Sequence, residues 1–170
     1  MHSLPVFLRL QGRPVILLGE GEAAAAKRLL LERAGAAIVG EEADAALAVV
    51  ALGDPAPAVA RLKARGILVN AVDRPDLCDF TVPAIVDRDP VLVAIGTGGA
   101  SAGLAAALRQ KLESLLSPKL GPLADLLREA REKIREAFRD PTQRRLAIAS
   151  ALAFGGPLDL DDPQLENPFW

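Results

Sequence analysis

Cysteine and histidine each occur once in this chain of 170 residues. A single cysteine, Cys78, has no partner for an internal disulfide, which fits a reducing compartment. One His and one Cys supply no cluster for a structural zinc. An excess of positive charge is also lacking: 20 Lys and Arg stand against 22 Asp and Glu, without the basic bias of a nucleic-acid binder. The opening MHSLPVFLRLQGRP has no continuous apolar core of the kind a secretory leader carries. The longest uncharged stretch, Val91 to Leu108, is interrupted by Gly96, Gly98, Gly99 and Gly103. It reads as strand, loop and helix start and not as a membrane span. The expectation is a soluble cytoplasmic protein with neither a nucleic-acid nor a membrane partner. What is present is apolar side chain, 51% of the residues, enough to exclude wholesale disorder and to build one compact domain or two small lobes.

Val15-Ile16-Leu17-Leu18 is a short apolar run ending at Gly19, and AAKRLLLERAG follows as a helix stopped by Gly35; strand, glycine turn and helix open a βαβ unit. Leu47 to Leu52 and Ile67 to Val69 are further buried strands, with a short helix from Ala58 to Arg65 between them. Apolar strands alternating with helices imply a parallel sheet. The pattern changes after Asp73. Phe80 to Val86 and Val91 to Ile95 are strands separated only by DRDP, a spacing that suits an antiparallel hairpin. Asp87 and Arg88 read as hairpin-loop residues. A helix capped by Ser101 follows, with Leu104, Leu108, Leu112 and Leu115 as its buried stripe. A second helix is expected from Gly121 to Arg139, and a third from Thr142 to Phe154.

Gly19, Gly21 and Ala24 fit G-x-G-x-x-A between strand and helix. In that motif the first glycine makes a tight turn. The second lets backbone approach a pyrophosphate, and the free N–H groups of the helix start face it. The same residues also suit an ordinary strand-to-helix turn. Glu20 and Glu22 put negative charge into this loop. Ala37-Ile38-Val39 reads as the next strand, with Glu41 or Glu42 placed for the adenosine ribose hydroxyls. Only a handful of residues then remain before Leu47, where a parallel crossover normally takes a dozen or more. This strand is therefore either very short or missing, and the adenosine side of the site is cut down. Asp73 follows the strand Ile67–Val69, at the end of an open sheet where ligands bind; equally, it starts a turn before Pro75. Gly98 and Gly99 either bring a helix start close to an anionic ligand or form a flexible joint. Cys78 reads as a small packed residue.

The stretch VNAVDRPDLCDFTVPAIVDRDPVLVAIGTGGAS, with NAVD, F-x-x-P-A-I-V-D-R and V-A-I-G-T-G-G-A-S in series, resembles the siroheme synthase dehydrogenase/chelatase module, a bifunctional precorrin-2 dehydrogenase and sirohydrochlorin ferrochelatase. LPVFLRLQGRPVILLGEGEAAAAKRLLLERAGA resembles the opening of the same module. The resemblance implies an α/β protein: a Rossmann-like parallel-sheet lobe over 1–73, a strand-based dimerisation hairpin and helix over 74–116, and a helical part over 117–154. The acidic, Pro-rich tail 155–170 is expected to be mobile. It further implies a homodimer that oxidises precorrin-2 to sirohydrochlorin with NAD and then inserts ferrous iron to give siroheme. Asp73 matches the catalytic aspartate and would touch the metal transiently during insertion. Together with the motif reading, the expected cofactor contacts are Gly19, Gly21, Glu22, Ala23, Glu41, Gly53 and Asp54. The expected substrate contacts are Asn70, Thr97, Gly98, Gly99 and Ser101. The chain departs from the family where A-T-D-D becomes A-L-G-D at 51–54, where Glu20 replaces a glycine, and where Ala102 replaces a proline. The segment after the first helix is also shorter. Two alternatives stand beside the full reaction: a chelatase or tetrapyrrole-binding protein that has lost NAD, and a non-enzymatic regulator that senses a dinucleotide.

Overall fold

The computed structural model describes residues 3–153; the expected tail 155–170 and Phe154 lie outside them. The chain divides into two compact units. One runs to Val82 and takes in Gly98–Ala100; the other comprises Pro83–Thr97 and the chain from Ser101 onward.

The first unit is a Rossmann-like lobe. β1 (Pro14–Gly19), β2 (Ala37–Val39), β3 (Leu47–Ala51) and β4 (Leu68–Ala71) form a wholly parallel sheet in the order β2-β1-β3-β4. Helices α1 (Gly21–Arg33) and α2 (Ala56–Ala64) connect them. Side chains alternate along the strands, as the pleat requires. Ile16, Ala48, Val50, Val69 and Ala71 point to one face and join Ala58, Val59 and Leu62 of α2 in a single core.

β2 has only three residues, as the spacing anticipated, and its register explains how the chain manages the short connection. It pairs only as far as Val39 opposite Ile16, while β3 begins with Leu47 opposite Val15. The end of one strand is thus nearly level with the start of the other. The connection needs to cross β1 sideways, two strand spacings or about 10 Å, and not to return the length of the sheet. Residues 40–46 do so over the α2 face, where Ala45 enters the core beside Leu62. Two arginines of the α2 segment fix this crossover: Arg61 makes a two-point bond to Glu41, and Arg65 donates to the carbonyls of Glu41 and Ala43.

The outer edge of β4 is covered by its own continuation. The Asp79 N–H donates to Val69 O (2.8 Å), and the Asp79 carboxylate accepts the Val69 N–H (2.9 Å). Lys63 pairs with the same carboxylate at 2.7 Å. This corrects the expected strand Phe80–Val86. Phe80 lies along the β4 edge, accepting from Asn70 Nδ2 at 2.9 Å, and the strand begins only after Pro83.

In the second unit β5 (Ala84–Arg88) and β6 (Val91–Ile95) form the expected antiparallel hairpin. Arg88 is more than a loop residue. It donates to the carbonyls of Glu113 (3.0 Å) and Leu116 (3.3 Å), satisfying the open C-terminal end of α3 (Ala102–Leu115). Gly121, in α4 (Leu120–Glu129), packs so closely on the Asp89 carbonyl that a Cβ there would collide with it. The expected single helix 121–139 is interrupted at Ala130. It resumes as α5 (Arg131–Ala137) and stops at Phe138, whose backbone leaves the helix (φ −122°, ψ 86°); Asp140, which precedes Pro141, is extended. Asp140 then caps α6 (Pro141–Leu152) through the N–H groups of Thr142 and Gln143. The α3 stripe is a second correction: Leu104 is 51% and Leu115 64% exposed, and no α3 residue is fully buried.

The Lys63 ammonium, aided by the Val69 N–H, holds Asp79 below its ordinary value of 3.8, against the opposing effect of desolvation. A lowered carboxylate value stabilises the fold above the unfolded value and ceases to do so as pH falls through the folded one. Asp79→Asn is therefore expected to cost about 1–2 kcal/mol at pH 7 and less at pH 3. Urea unfolding at the two pH values measures this; equal costs at both would refute the role.

Candidate active site

Three loops meet at the carboxyl edge of the parallel sheet, because β1, β3 and β4 are neighbours. The first follows β1. Gly19 has φ +122°, and a Cβ on it would collide with the carbonyl oxygen of Ala51, its register partner on β3; only glycine closes this turn. Gly21 has φ +81°, and no atom lies within 4 Å of where its Cβ would be. The space above it is open to a ligand. Glu20 occupies the N-cap of α1 without making a side-chain capping bond, whereas Ser101 and Asp140 cap α3 and α6. The first N–H groups of α1 are thus left without a side-chain acceptor, as a phosphate site requires. Ala24 faces the core, while Glu22 and Ala23 are exposed at the helix start. The second loop, after β3, presents exposed Gly53 and Asp54.

The third loop carries Asp73. The Arg74 N–H donates to Ala71 O (3.3 Å), closing a turn whose third residue, Asp73, has φ +59°. Glycine or asparagine is the usual occupant of such a position, and a side chain there carries a backbone cost. Asp73 is the sole non-glycine residue with positive φ among those described, and it is exposed. Cys78 braces the turn from below: its Sγ lies 3.2 Å from both the N–H and the carbonyl oxygen of Ala71, and 3.3 Å from Arg74 O. The 3₁₀ turn Pro75–Leu77 follows. Gly99, with φ +81°, sits over it, its Cβ position 3.9 Å from Pro75 Cβ.

The fold therefore brings together Gly19, Gly21, Glu22, Ala23, Gly53, Asp54 and Asp73, with the Gly98–Gly99 turn packed in the same unit. The other expected residues have partners within the fold. Glu41 is drawn to the α2 face and gripped by Arg61 Nε (2.7 Å) and Nη2 (3.1 Å). Asn70 is buried at 7% exposure, its amide nitrogen bonded to Phe80 O, and serves as a strut under the edge. Thr97 and Ser101 lie in the second unit. There the Thr97 hydroxyl donates to Ser101 O (3.1 Å), and Ser101 Oγ accepts the Leu104 N–H (3.1 Å). One residue escaped the sequence reading. Arg74 is the only base in the three edge loops, beside Glu20, Glu22, Asp54, Asp73 and Asp76. It bonds Asp76 at 2.9 and 2.7 Å, which holds that carboxyl below its usual range. Its isolation among acids was the available signal. Among the described residues no group of three or more His, Cys, Asp or Glu is placed to hold a metal ion.

Known proteins resemble this chain in sequence and in fold. A family model described as "Putative NAD(P)-binding" matches residues 40–84, from the crossover through Asp73. Siroheme synthase of Methylococcus capsulatus is 38% identical over 176 residues, covering 85% of this chain and 37% of that protein. Siroheme synthase of Methylobacillus flagellatus is 39% identical over 177 residues, covering 86% and 38%. The chain is a siroheme synthase homologue. It spans less than two fifths of the length of these relatives. A solved structure described as SirC, precorrin-2 dehydrogenase, superimposes with a TM-score of 0.70 over 93% of this chain and 94% of that one, at 23% identity. The likeness to that structure is one of fold, over nearly the whole of this chain. No helix among the described residues is long and apolar enough to cross a membrane.

The left-handed conformation at Asp73 separates stability from activity. Asp73→Gly relieves the backbone cost of about 1 kcal/mol while removing the carboxylate. Thermal unfolding is expected to show Asp73→Gly at least as stable as the parent and Asp73→Ala no more stable than it. Turnover is expected to fall in both where the carboxylate acts chemically. An active Asp73→Gly enzyme would show that the strained carboxylate has no chemical role.

Proposed function

We propose that this chain oxidises precorrin-2 to sirohydrochlorin with NAD as acceptor, and inserts ferrous iron into the product to give siroheme. The observation that carries the reading is the exposed carboxylate of Asp73. It is held in a left-handed turn at the sheet edge beside an uncapped glycine turn. The names of the relatives and of the neighbouring structure support it.

The residues present suit the pyrophosphate half of a dinucleotide. Gly19 and Gly21 admit it to the N-terminus of α1, and Gly53 and Asp54 border the same edge. A bound dinucleotide supplies the hydride acceptor. Asp73 accepts the proton that the macrocycle loses alongside the hydride, so sirohydrochlorin, reduced dinucleotide and one proton balance the step. In metal insertion the same carboxylate relays the two pyrrole protons that ferrous iron, a substrate here, displaces. Arg74, already bonded to a carboxylate in Asp76, has the donor geometry to hold an acidic side chain of the macrocycle. A general base of this kind contributes roughly 10²–10⁴-fold to the rate.

An absorbance assay tests both steps: precorrin-2 with and without NAD, then sirohydrochlorin with ferrous iron. Asp73→Asn, whose side chain tolerates the left-handed turn, is expected to lose at least about a hundredfold in each step while still binding NAD. Full activity of that variant would refute the assignment. Iron insertion without any NAD-dependent oxidation would establish the chelatase-only alternative.

The homodimer is part of the same proposal. A two-stranded hairpin is marginal in isolation, and the exposed Leu92 of β6 and Leu104, Leu108 and Leu115 of α3 give this unit an uncovered apolar surface that a second copy suits. Sedimentation equilibrium is expected to give twice the chain mass, falling toward one chain mass in Leu104→Glu. A monomeric parent protein would contradict the dimer.

A further inference from the structure

We propose that the dinucleotide site does not discriminate NAD from NADP. The inference rests on the preceding reading, that a nicotinamide dinucleotide lies on the glycine turn. In Rossmann-like sites the choice is made at the end of the second strand. An acid there accepts hydrogen bonds from the adenosine ribose and repels a 2′-phosphate; such a charged contact accounts for roughly ten- to hundredfold in affinity.

This chain dismantles that device in three ways. β2 ends opposite Ile16, three residues before Gly19, so its last backbone group lies about 10 Å below the glycine turn along the strand. The chain then turns onto the α2 face, where Ala45 is built into the core and Arg65 holds the carbonyls of Glu41 and Ala43. Continuing upward to the ribose would break these contacts. Finally, the Glu41 carboxylate is closed off by the Arg61 fork at 2.7 and 3.1 Å. Arg61 and then Arg65 hold it in its charged, paired state. Glu42, the other acid after β2, also acts on the Arg61 guanidinium. The pair Glu41–Arg61 is close to neutral, and Arg65 stands beside it. The carboxylate spaced for the ribose is thus paired with Arg61, and it neither waits for a 2′-hydroxyl nor opposes a 2′-phosphate as a lone charge.

The test is direct titration of the full chain with NADH and with NADPH, read by the fluorescence of the reduced nicotinamide and independent of turnover. The two Kd values are expected to agree within about threefold, and Glu41→Gln to leave their ratio unchanged, against the ten- to hundredfold that a working ribose acid gives. A preference for NADH above about tenfold, abolished by Glu41→Gln, would overturn the inference and restore Glu41 as the ribose acid. A comparable preference for NADPH would overturn it in the other direction, with Arg61 as its source. Failure of both cofactors to bind overturns the dehydrogenase reading beneath it as well, whereas a strong preference overturns this inference alone.

Discussion

The level at which β2 stops governs the rest of the first unit. Seven residues, 40–46, span at most about 25 Å, too little to build a crossover helix. They suffice because β2 pairs only to Ile16 and β3 begins at Val15. The remaining distance is lateral. The central order of strands survives this shortening, so the carboxyl ends of β1, β3 and β4 still meet, and with them the glycine turn, Gly53–Asp54 and Asp73. What is removed is the adenosine border alone. Arg61 and Arg65 hold the shortened path in place, and in doing so they take the acid that a longer strand would have presented to the ribose.

The carboxyl edge is otherwise organised around acids. Glu20, Glu22, Asp54, Asp73 and Asp76 surround a single base, Arg74. The N–H groups at the starts of α1 and α2, which lack side-chain caps, and the Arg74 guanidinium are the positive elements of this edge. Asp73 differs from the other acids in its backbone, which is left-handed and is braced by the Cys78 thiol and by the closing bond from Arg74 to Ala71. Strain of this kind persists where the surroundings over-determine a conformation, and it accumulates at functional sites. Below the edge, Asp79 and Phe80 complete the outer side of β4. The turn therefore projects from a finished sheet and not from a frayed one.

Much of this was legible in the order of residue types. Val15–Leu18 followed by Gly19 announces β1 and its turn, and the scarcity of chain between Val39 and Leu47 announces a truncated second strand. Ser101 announces the start of α3. The features that escaped depend on partners distant in sequence. Glu41 has the spacing of a ribose acid, but its partner Arg61 lies twenty residues on, and no local pattern reveals the pairing. Asn70 looks available until Phe80 folds back along β4. The leucines of α3 have the period of a buried stripe, and periodicity reports that a face is apolar without reporting what covers it. Arg88 resembles a surface turn residue because the carbonyls it bonds belong to a helix end some twenty-five residues away.

A dinucleotide is proposed to meet this chain through the carboxyl-edge loops and not through the shortened adenosine border. Amide hydrogen exchange with and without saturating NAD measures this most directly. Slowed exchange is expected at residues 19–24 and 52–55, with residues 40–46 unchanged. Slowed exchange at 40–46, with the glycine turn unaffected, would contradict it.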